Sequence, residues 1–308
     1  ATGAWMQTNG GILTAKDFAD YSVKLREPVS TDYRGYKIVT FSPPSSGGVH
    51  LIEMLNTLEH FDLAAMSEST RLNVMAEAMK RAYADRAKYL GDPDFNPGMP
   101  VDMLLSKAHA AELRGTISMK KAGTSSPSRF EWPHESDETT HISIVDGNRN
   151  AASMTYTLEQ GYGVKIVVPG GGFLLNNEMG DFNAGPDLTN TQGLIGTPPN
   201  MTAPGKRMLS SMAPTILAKD GKLFMVTGSP GGRTIINTTL ETIVGVVDFG
   251  LNAQEAVDAP RFHHQWLPNQ IDYERQGFSP DTLRELEKRG HVLKAGGGQG
   301  VAQVIIVN

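Results

Sequence analysis

The sequence predicts an α+β fold in which helices pack around an antiparallel sheet. Three observations support this prediction. Helix signals dominate the first part of the chain, β-branched segments joined by turn residues form hairpins in the middle, and helices followed by an apolar strand end it. The 308 residues are 39% hydrophobic and 20% charged, which is enough to bury one large core or two smaller ones.

Helices are predicted at three places in the first part of the chain. One covers His50–His60, after the turn-rich residues Pro43–Gly48, and a weaker one covers Val101–Leu113. The strongest covers Ser69–Leu90 and ends before Gly91. Its apolar residues recur at i, i+3, i+4, i+7 and i+11, which predicts a stripe facing the core: Leu72, Met75, Ala76, Met79 and Tyr83.

Strands are predicted after the polar, Pro/Ser-rich stretch Lys120–Asp137, which is typical of a loop or linker. His141–Asp146 and Ala151–Thr157 alternate in polarity and form a hairpin around Gly147–Asn150. A short strand is expected at Lys165–Val168.

A long segment, Asn183–Arg207, is rich in Gly, Pro and Asn and has no periodicity; loops of that length are usually functional or disordered. Beyond it the sequence predicts a second hairpin, two helices and a terminal strand. The hairpin is formed by Pro214–Ala218 and Leu223–Thr227. The first helix is apolar and runs from Ile235 to Val247, the second runs from Ser279 to Gly290, and the strand is Val301–Asn308.

Composition and motifs exclude several classes of protein. The formal net charge of -5 argues against a general nucleic-acid or anionic-membrane binder. The absence of Cys excludes disulfides, thiolate zinc sites and Cys nucleophiles. No HExxH, GxSxG or strand-linked GxGxxG motif occurs, and no apolar run approaches the roughly 18 residues of a membrane span. Neither a metal nor a cofactor is expected.

Reactive chemistry is suggested where the polar linker meets the first hairpin, at Glu138-Thr139-Thr140-His141. A Thr pair at the start of a strand is also explained by β-propensity and a turn hydroxyl. The functional alternative is autocleavage before Thr139, after which the new α-amino group is a general base for the Thr hydroxyl. Such an amine has a pKa of about 7.7–8.0 and is substantially neutral at physiological pH.

The chain resembles the γ-glutamyltranspeptidase family in ordered segments spread over nearly its whole length. The matching stretches are Thr139–Ser143, Thr155–Leu158, Leu174–Phe182, Leu209–Thr215, Thr227–Gly232 and Pro260–Pro268, together with the upstream Pro43–Gly48 and Tyr83–Phe95. The resemblance implies an N-terminal-nucleophile hydrolase fold, an αββα sandwich. It also implies a precursor, cleaved between Glu138 and Thr139, in which residues 1–138 end the large subunit and 139–308 form most of the small, catalytic one.

The resemblance assigns catalytic roles to four residues. Thr139 corresponds to the nucleophile, which forms a γ-glutamyl ester and passes it to water or to an amino-acid or peptide acceptor. Thr157 corresponds to the hydroxyl that orients Thr139, although a half-buried strand Thr would look the same. Gly231 and Gly232 correspond to the oxyanion hole, where backbone N–H groups approach without a Cβ in the way. Without the resemblance these two glycines would indicate only a turn.

Substrate binding is implied for five further residues. Glu178 and Asp181 correspond to acceptors for the substrate ammonium, and Ser210 and Ser211 to donors for its carboxylate. Glu159 stands where better-known members carry Asn beside that carboxylate. Three explanations remain open: Glu159 points away, it pairs with a cation such as Lys165, or the substrate is not a plain γ-glutamyl compound.

Two further features follow from the resemblance. An Arg that pairs with the substrate carboxylate in the family belongs to a part of the large subunit that this chain does not contain, so its pocket is expected to be incomplete. The segment Asn183–Arg207 corresponds to a lid present in some members and missing from others.

The leading hypothesis is a γ-glutamyl transferase/hydrolase acting on glutathione-like compounds. Two alternatives remain: a glutaryl or cephalosporin-type acylase of the same superfamily, and an uncleaved, inactive relative that serves as a binding module. The first residue is not Met, no signal-peptide pattern is visible and the last segment is a strand, so both ends are interpreted as truncations. A periplasmic or extracellular location is implied by the family alone.

Overall fold

The computed structural model describes residues 1–125, 139–185, 188–190, 194–195 and 197–307. The helices formed by these residues are α1 (Thr2–Thr8), α2 (Ala15–Asp20), α3 (Gly47–Leu58), α4 (Glu68–Tyr89), α5 (Val101–Leu105), α6 (Lys107–Gly115), α7 (Ile235–Phe249), α8 (Ala253–Asp258) and α9 (Pro280–Lys288). The strands are β1 (Val29–Tyr33), β2 (Tyr36–Thr40), β3 (Thr140–Val145), β4 (Ala151–Tyr156), β5 (Thr215–Lys219), β6 (Lys222–Gly228), β7 (Phe262–His263), β8 (Ile271–Glu274), β9 (Leu293–Gly296) and β10 (Gln303–Ile306).

Side-chain caps define where several helices begin. Ser106 accepts a hydrogen bond from the backbone N–H of His109 and starts α6, and Ser279 does the same for α9. Asn252 forms a capping box with Glu255 at the start of α8. These caps satisfy backbone donors that have no partner within their own helix, so the chain enters each helix at a defined residue.

The main sheet is antiparallel and has the strand order β1-β2-β5-β6-β10. Asp220 and Gly221, between β5 and β6, have φ values of +51° and +74°. Positive φ at both central residues is the requirement of a two-residue hairpin turn that matches the strand twist. The strand β10 pairs with β6 at one edge of this sheet, which confirms the strand predicted in the apolar C-terminal segment.

Helices cover one face of this sheet and the β3–β4 hairpin covers the other. All residues of α3 are buried, because α3 lies between β1–β2 and the helices α4–α7. On the opposite face the ring of His141 occupies the space beside Gly228, where a Cβ would lie 2.2 Å from a ring carbon. The Ser153 hydroxyl donates to the Thr227 carbonyl at 3.0 Å. The described residues thus form three layers, helix, sheet and hairpin.

The predicted helices and hairpins are confirmed, with small shifts of their ends. The stripe predicted on the strongest helix is buried in α4, with exposures of 0 to 6%. The helix predicted over Val101–Leu113 is two helices, α5 and α6, because Ser106 is extended and caps the second one. Residues 120–125 are neither helix nor strand, while the rest of the predicted loop lies outside the described residues.

One predicted strand is wrong and several strands were not predicted. Lys165–Val168 is not a strand; it forms only a single bridge, between Val167 and Leu174. Lys165 has a φ of +60°, and the flanking Tyr162 has +63°, so the backbone turns where an extended chain was expected. The unpredicted β1 and β2 join β5, β6 and β10, so segments from both sides of Thr139 share one sheet. In the part of the chain described, no helix combines the length and apolarity needed to cross a membrane.

Candidate functional site

Thr139 and Thr157 lie at the same, open end of the β3–β4 hairpin, where Thr139 directly precedes β3 and Thr157 directly follows β4. The two strands pair antiparallel, with Thr140 opposite Tyr156. Thr139 and Thr157 each follow this pair by one residue in the direction of the open end. Thr139 is half-buried and directly precedes β3, so the hairpin holds its position. Glu138, the other residue of the predicted cleavage site, lies outside the described residues.

Thr157 connects this end of the hairpin to an acidic loop. Its hydroxyl oxygen accepts a hydrogen bond from the Glu159 N–H at 2.8 Å. The carboxylate of Glu178 interacts with the Thr157 side chain and with the Glu159 backbone. Glu159 itself has a φ of +71°, a left-handed conformation that is uncommon for a residue with a Cβ and is often found at functional sites.

Three carboxylates are brought together here, and all are buried. Glu159, Glu178 and Asp181 are 2%, 8% and 5% exposed. Burial, followed by the charge of Glu159, raises the pKa of Glu178 to about 7. Burial and the charges of Glu178 and Glu159 raise the pKa of Asp181 well above its ordinary value. Such a cluster favours binding of a cation, because a positive charge relieves the repulsion between the acids.

Glu159 belongs to this cluster: it is buried, and its charge raises the pKa of both Glu178 and Asp181. Lys165 is exposed.

Arg86 adds a cation behind the acidic cluster. Its guanidinium is buried, and its charge lowers the pKa of Asp181 against the effect of burial. The Arg86 Nε–H donates to the Ser46 hydroxyl at 2.9 Å, and the Ser46 hydroxyl donates to the Ser210 carbonyl at 2.7 Å. This chain of hydrogen bonds joins α4, the start of α3 and the serine pair. The hydroxyl of Ser211 is buried and has no hydrogen-bond partner among the described residues, so it is free to bind a ligand.

Gly231 and Gly232 follow β6, which ends at Gly228. The ring of His141 contacts Gly228. His141 is two residues after Thr139 in the sequence, and Gly228 is three residues before Gly231, so this contact brings the two segments together. Gly231 has a φ of +132°, and a Cβ there would lie 2.5 Å from the Thr234 hydroxyl. Glycine is therefore required for conformational and for steric reasons. The hydroxyl of Tyr83, on α4, donates to the carbonyl of Arg233, the residue after Gly232, at 2.6 Å.

The described residues of the long segment 183–207 pack against the site. The side-chain amides of Asn190 and Asn200 both donate to the Asp181 carbonyl, at 3.2 and 2.9 Å. The hydroxyl of Thr197 donates to the Ala87 carbonyl, near the end of α4, at 2.6 Å. The two amide bonds tie the segment to the acidic loop at Asp181, and the Thr197 bond ties it to α4.

The sequence assigned no role in the site to Ser46, Tyr83 or Arg86, although two of the matching segments contain them and Tyr83 belongs to the predicted apolar stripe. They act through contacts across the fold with Ser210, with the residue after Gly232 and with Asp181. A detectable signal was the placement of an Arg and a Tyr on the otherwise apolar face of the strongest predicted helix, where burial of a charge requires partners.

Comparison with known sequences gives one consistent family. The profile described as gamma-glutamyltranspeptidase matches residues 3–308. The glutathione hydrolase proenzyme of Escherichia coli strain K12 is 48% identical over 307 residues, which cover 98% of this chain and 52% of that protein. The chain thus spans about half the length of the curated relatives it matches.

Comparison with solved structures gives the same fold. Cephalosporin acylase from Bacillus halodurans matches with a TM-score of 0.83 and 28% identity, over 100% of this chain and 54% of that one. A variant of Helicobacter pylori gamma-glutamyltranspeptidase matches with a TM-score of 0.54 and 45% identity, over 55% of this chain and 91% of that one. The N-terminal-nucleophile hydrolase fold predicted from the sequence is confirmed by these matches.

Proposed function

This chain belongs to the γ-glutamyltranspeptidase family, and we propose that it is the catalytic part of a γ-glutamyl transferase/hydrolase whose donors are glutathione-like γ-glutamyl amides. The observation that carries the proposal is the link from Thr157, at the same end of the hairpin as Thr139, to the buried carboxylates of Glu159, Glu178 and Asp181. It supports a candidate nucleophile at the edge of a site that favours an ammonium group.

The proposed reaction begins after cleavage of the Glu138–Thr139 bond. The free α-amine of Thr139 takes the proton of its own hydroxyl, and the oxygen attacks the γ-carbonyl carbon of the donor. The N–H groups of Gly231 and Gly232 stabilise the negative charge on the carbonyl oxygen, an interaction worth about 3–4 kcal/mol in comparable sites. The amine of the leaving group takes the proton and departs, leaving a γ-glutamyl ester on Thr139. Water or an acceptor amine then attacks the ester and restores the hydroxyl.

The glutamyl α-carbon of the donor carries two oppositely charged groups, an ammonium and a carboxylate, and each is assigned to different residues. The ammonium group lies among the carboxylates of Glu159, Glu178 and Asp181, and the raised pKa values of Glu178 and Asp181 fall when a cation binds. The hydroxyls of Ser210 and Ser211 donate to the α-carboxylate. Glu159 then has to serve the ammonium, because a second carboxylate beside it would be repelled.

A glutaryl-type acylase is the second candidate, because the match to the cephalosporin acylase structure covers the whole chain. A glutaryl group has no α-ammonium, so it makes no use of the acidic cluster. The two candidates therefore differ in what they require of Asp181, while both require Thr139. A periplasmic or extracellular location, and assembly from the two products of one precursor, form part of the proposal.

The experiment is to compare Asp181→Asn with wild type in the full-length protein, using γ-glutamyl and glutaryl anilides. We expect the substitution to reduce kcat/KM for the γ-glutamyl substrate by about 100-fold or more, as when a buried charged partner is lost, and to leave any glutaryl activity unchanged. Asp102→Asn, at an exposed position on α5, is the matched control. Equal losses on both substrates would refute the ammonium assignment, and turnover of the glutaryl substrate alone would favour the acylase.

A further inference from the structure

A second polar cluster lies away from Thr139, where three helices meet. It consists of Glu53 on α3, Asp85 on α4 and His109 on α6, and one potential ligand atom of each lies within 4.8 Å of the others. His109 Nε2 is 2.8 Å from Asp85 Oδ2 and 3.7 Å from Glu53 Oε1. The reaction proposed above uses none of these side chains.

Glu53 is the unusual member of this cluster. Its side chain is fully buried, and neither carboxylate oxygen has a hydrogen-bond partner within the described residues. A buried carboxylate normally accepts several hydrogen bonds, and leaving one without them is strongly unfavourable.

His50, one helical turn before Glu53, presents a second uncompensated group. Its Nδ1 is 3.0 Å from the Ser46 carbonyl, which can only accept, so Nδ1 carries the hydrogen. The buried Nε2 therefore bears a lone pair; it lies 3.9 Å from Glu53 Oε2 and has no hydrogen-bond partner in the described part of the chain. A lone pair and a carboxylate that face each other repel unless a proton or a metal cation lies between them.

We propose that Glu53, Asp85 and His109 form a binding site for a divalent transition-metal ion, with Zn²⁺ as the best fit. One imidazole and two carboxylates are ligands that Zn²⁺ accepts, at about 2.0–2.2 Å from the ion. Ligands at that distance in a tetrahedral site are about 3.3 Å apart. The two distances from His109 fall on either side of this value, so small side-chain movements suffice to seat an ion.

The site has an entry path and a mechanical consequence. The side chains of Asp85 and His109 are 17% and 13% exposed, so an ion reaches them from solvent while Glu53 closes the inner end. The bound ion links α3, α4 and α6. Because α3 and α4 also carry Ser46 and Arg86, the ion would fix the wall behind the acidic cluster rather than take part in the reaction.

No short sequence motif marks this site, since its ligands come from three separate helices that fold together. This explains why the sequence gave no indication of a metal.

The test measures Zn²⁺ binding by the full-length protein after treatment with EDTA and desalting. Competition with a chromophoric chelator gives the affinity and stoichiometry, and substitution with Co²⁺ gives a visible d–d absorption band if the ion is bound by protein ligands. The variants are His109→Gln and Asp85→Asn, both at partly exposed positions, with His60→Gln at an exposed position beyond α3 as the matched control. Circular dichroism verifies that each variant is folded.

We expect one Zn²⁺ per chain, a loss of affinity of about tenfold or more in each variant, and no change in His60→Gln. Zn²⁺ should also raise the Tm of wild type but not that of His109→Gln. No binding by wild type, or equal binding by wild type and His109→Gln, would overturn the proposal. The cluster would then be an ion triad in which protonated His109 serves both acids. Either result is independent of γ-glutamyl turnover.

Discussion

Glu178→Gln should stabilise the folded protein above neutral pH and leave its stability unchanged in acid. The pKa of Glu178 is about 7 in the folded protein, against an ordinary value of 4.5. The unfolded chain thus loses its proton near pH 4.5, while the folded protein keeps it until about pH 7. Because the folded state binds more protons in this interval, stability falls as the pH rises through it.

The magnitude follows from the difference between the two pKa values. Each pKa unit corresponds to about 1.36 kcal/mol, so ionising Glu178 in the folded protein costs at most about 3 kcal/mol. A neutral Gln of the same shape avoids this cost and still accepts hydrogen bonds from Thr157 and the Glu159 backbone. The gain exists because the unliganded site holds three acids without the cation they are arranged to bind.

The assay is urea unfolding of wild type and Glu178→Gln at about pH 4 and about pH 8, at the same ionic strength. Glu112→Gln, at an exposed position on α6, is the control and should show no gain at either pH. A gain of equal size at both pH values, or a variant less stable than wild type at the higher pH, would refute the reasoning. The same variant should bind γ-glutamyl donors more weakly, which a rise in KM would report.

Two further predictions concern stability. Gly228→Ala should destabilise the protein by about 1–3 kcal/mol in denaturant unfolding, because the new Cβ would lie 2.2 Å from the His141 ring. Gly98→Ala is the control and should be neutral, because a Cβ there meets no other atom within 4 Å. Equal effects of the two substitutions would contradict the steric explanation. Glu77→Gln should cost about 3–5 kcal/mol near pH 7, because it leaves the buried Lys80 without its carboxylate partner at 2.6 Å. Burial raises the pKa of Glu77, but its hydrogen bonds and the charge of Lys80 outweigh burial and lower the pKa to about 2. The stability that the Glu77–Lys80 ion pair contributes to wild type should therefore be lost as the pH falls from 4.5 towards 2. Urea titrations at several pH values would detect it, and a loss independent of pH would count against the ion pair.

Local sequence signals predicted the longer elements of the fold. The stripe on α4 repeats over three turns and has a clear end, so its burial could be inferred without tertiary information. The short strands β1 and β2 carry mixed polarity. They pair with each other, and β2 joins them to the sheet by pairing with β5, which is distant in sequence. Lys165–Val168 shows the opposite error: β-branched residues suggested a strand, but positive φ values direct the chain into turns.

The residues of the candidate site likewise fall into two groups, those that local sequence patterns identified and those whose role depends on tertiary packing. Motifs identified Thr139 and the acids of the 178–181 loop, because those residues lie in contiguous, family-like segments. The contribution of Arg86 and Ser46 depends on how α3 packs against α4, and no local pattern contains that information. Sequence reasoning could only list the possible orientations of Glu159, whereas the structure places this acid in the cluster.

The central claim is that Thr139 becomes an N-terminal nucleophile, and one measurement tests it directly. The full-length recombinant protein and its Thr139→Ala variant are incubated at neutral pH, then characterised by intact mass and N-terminal sequencing. The account predicts two fragments for wild type, one beginning Thr-Thr-His-Ile-Ser, and a single chain for the variant. A wild-type chain that stays uncut would leave Thr139 without a free amine and would contradict the proposed mechanism.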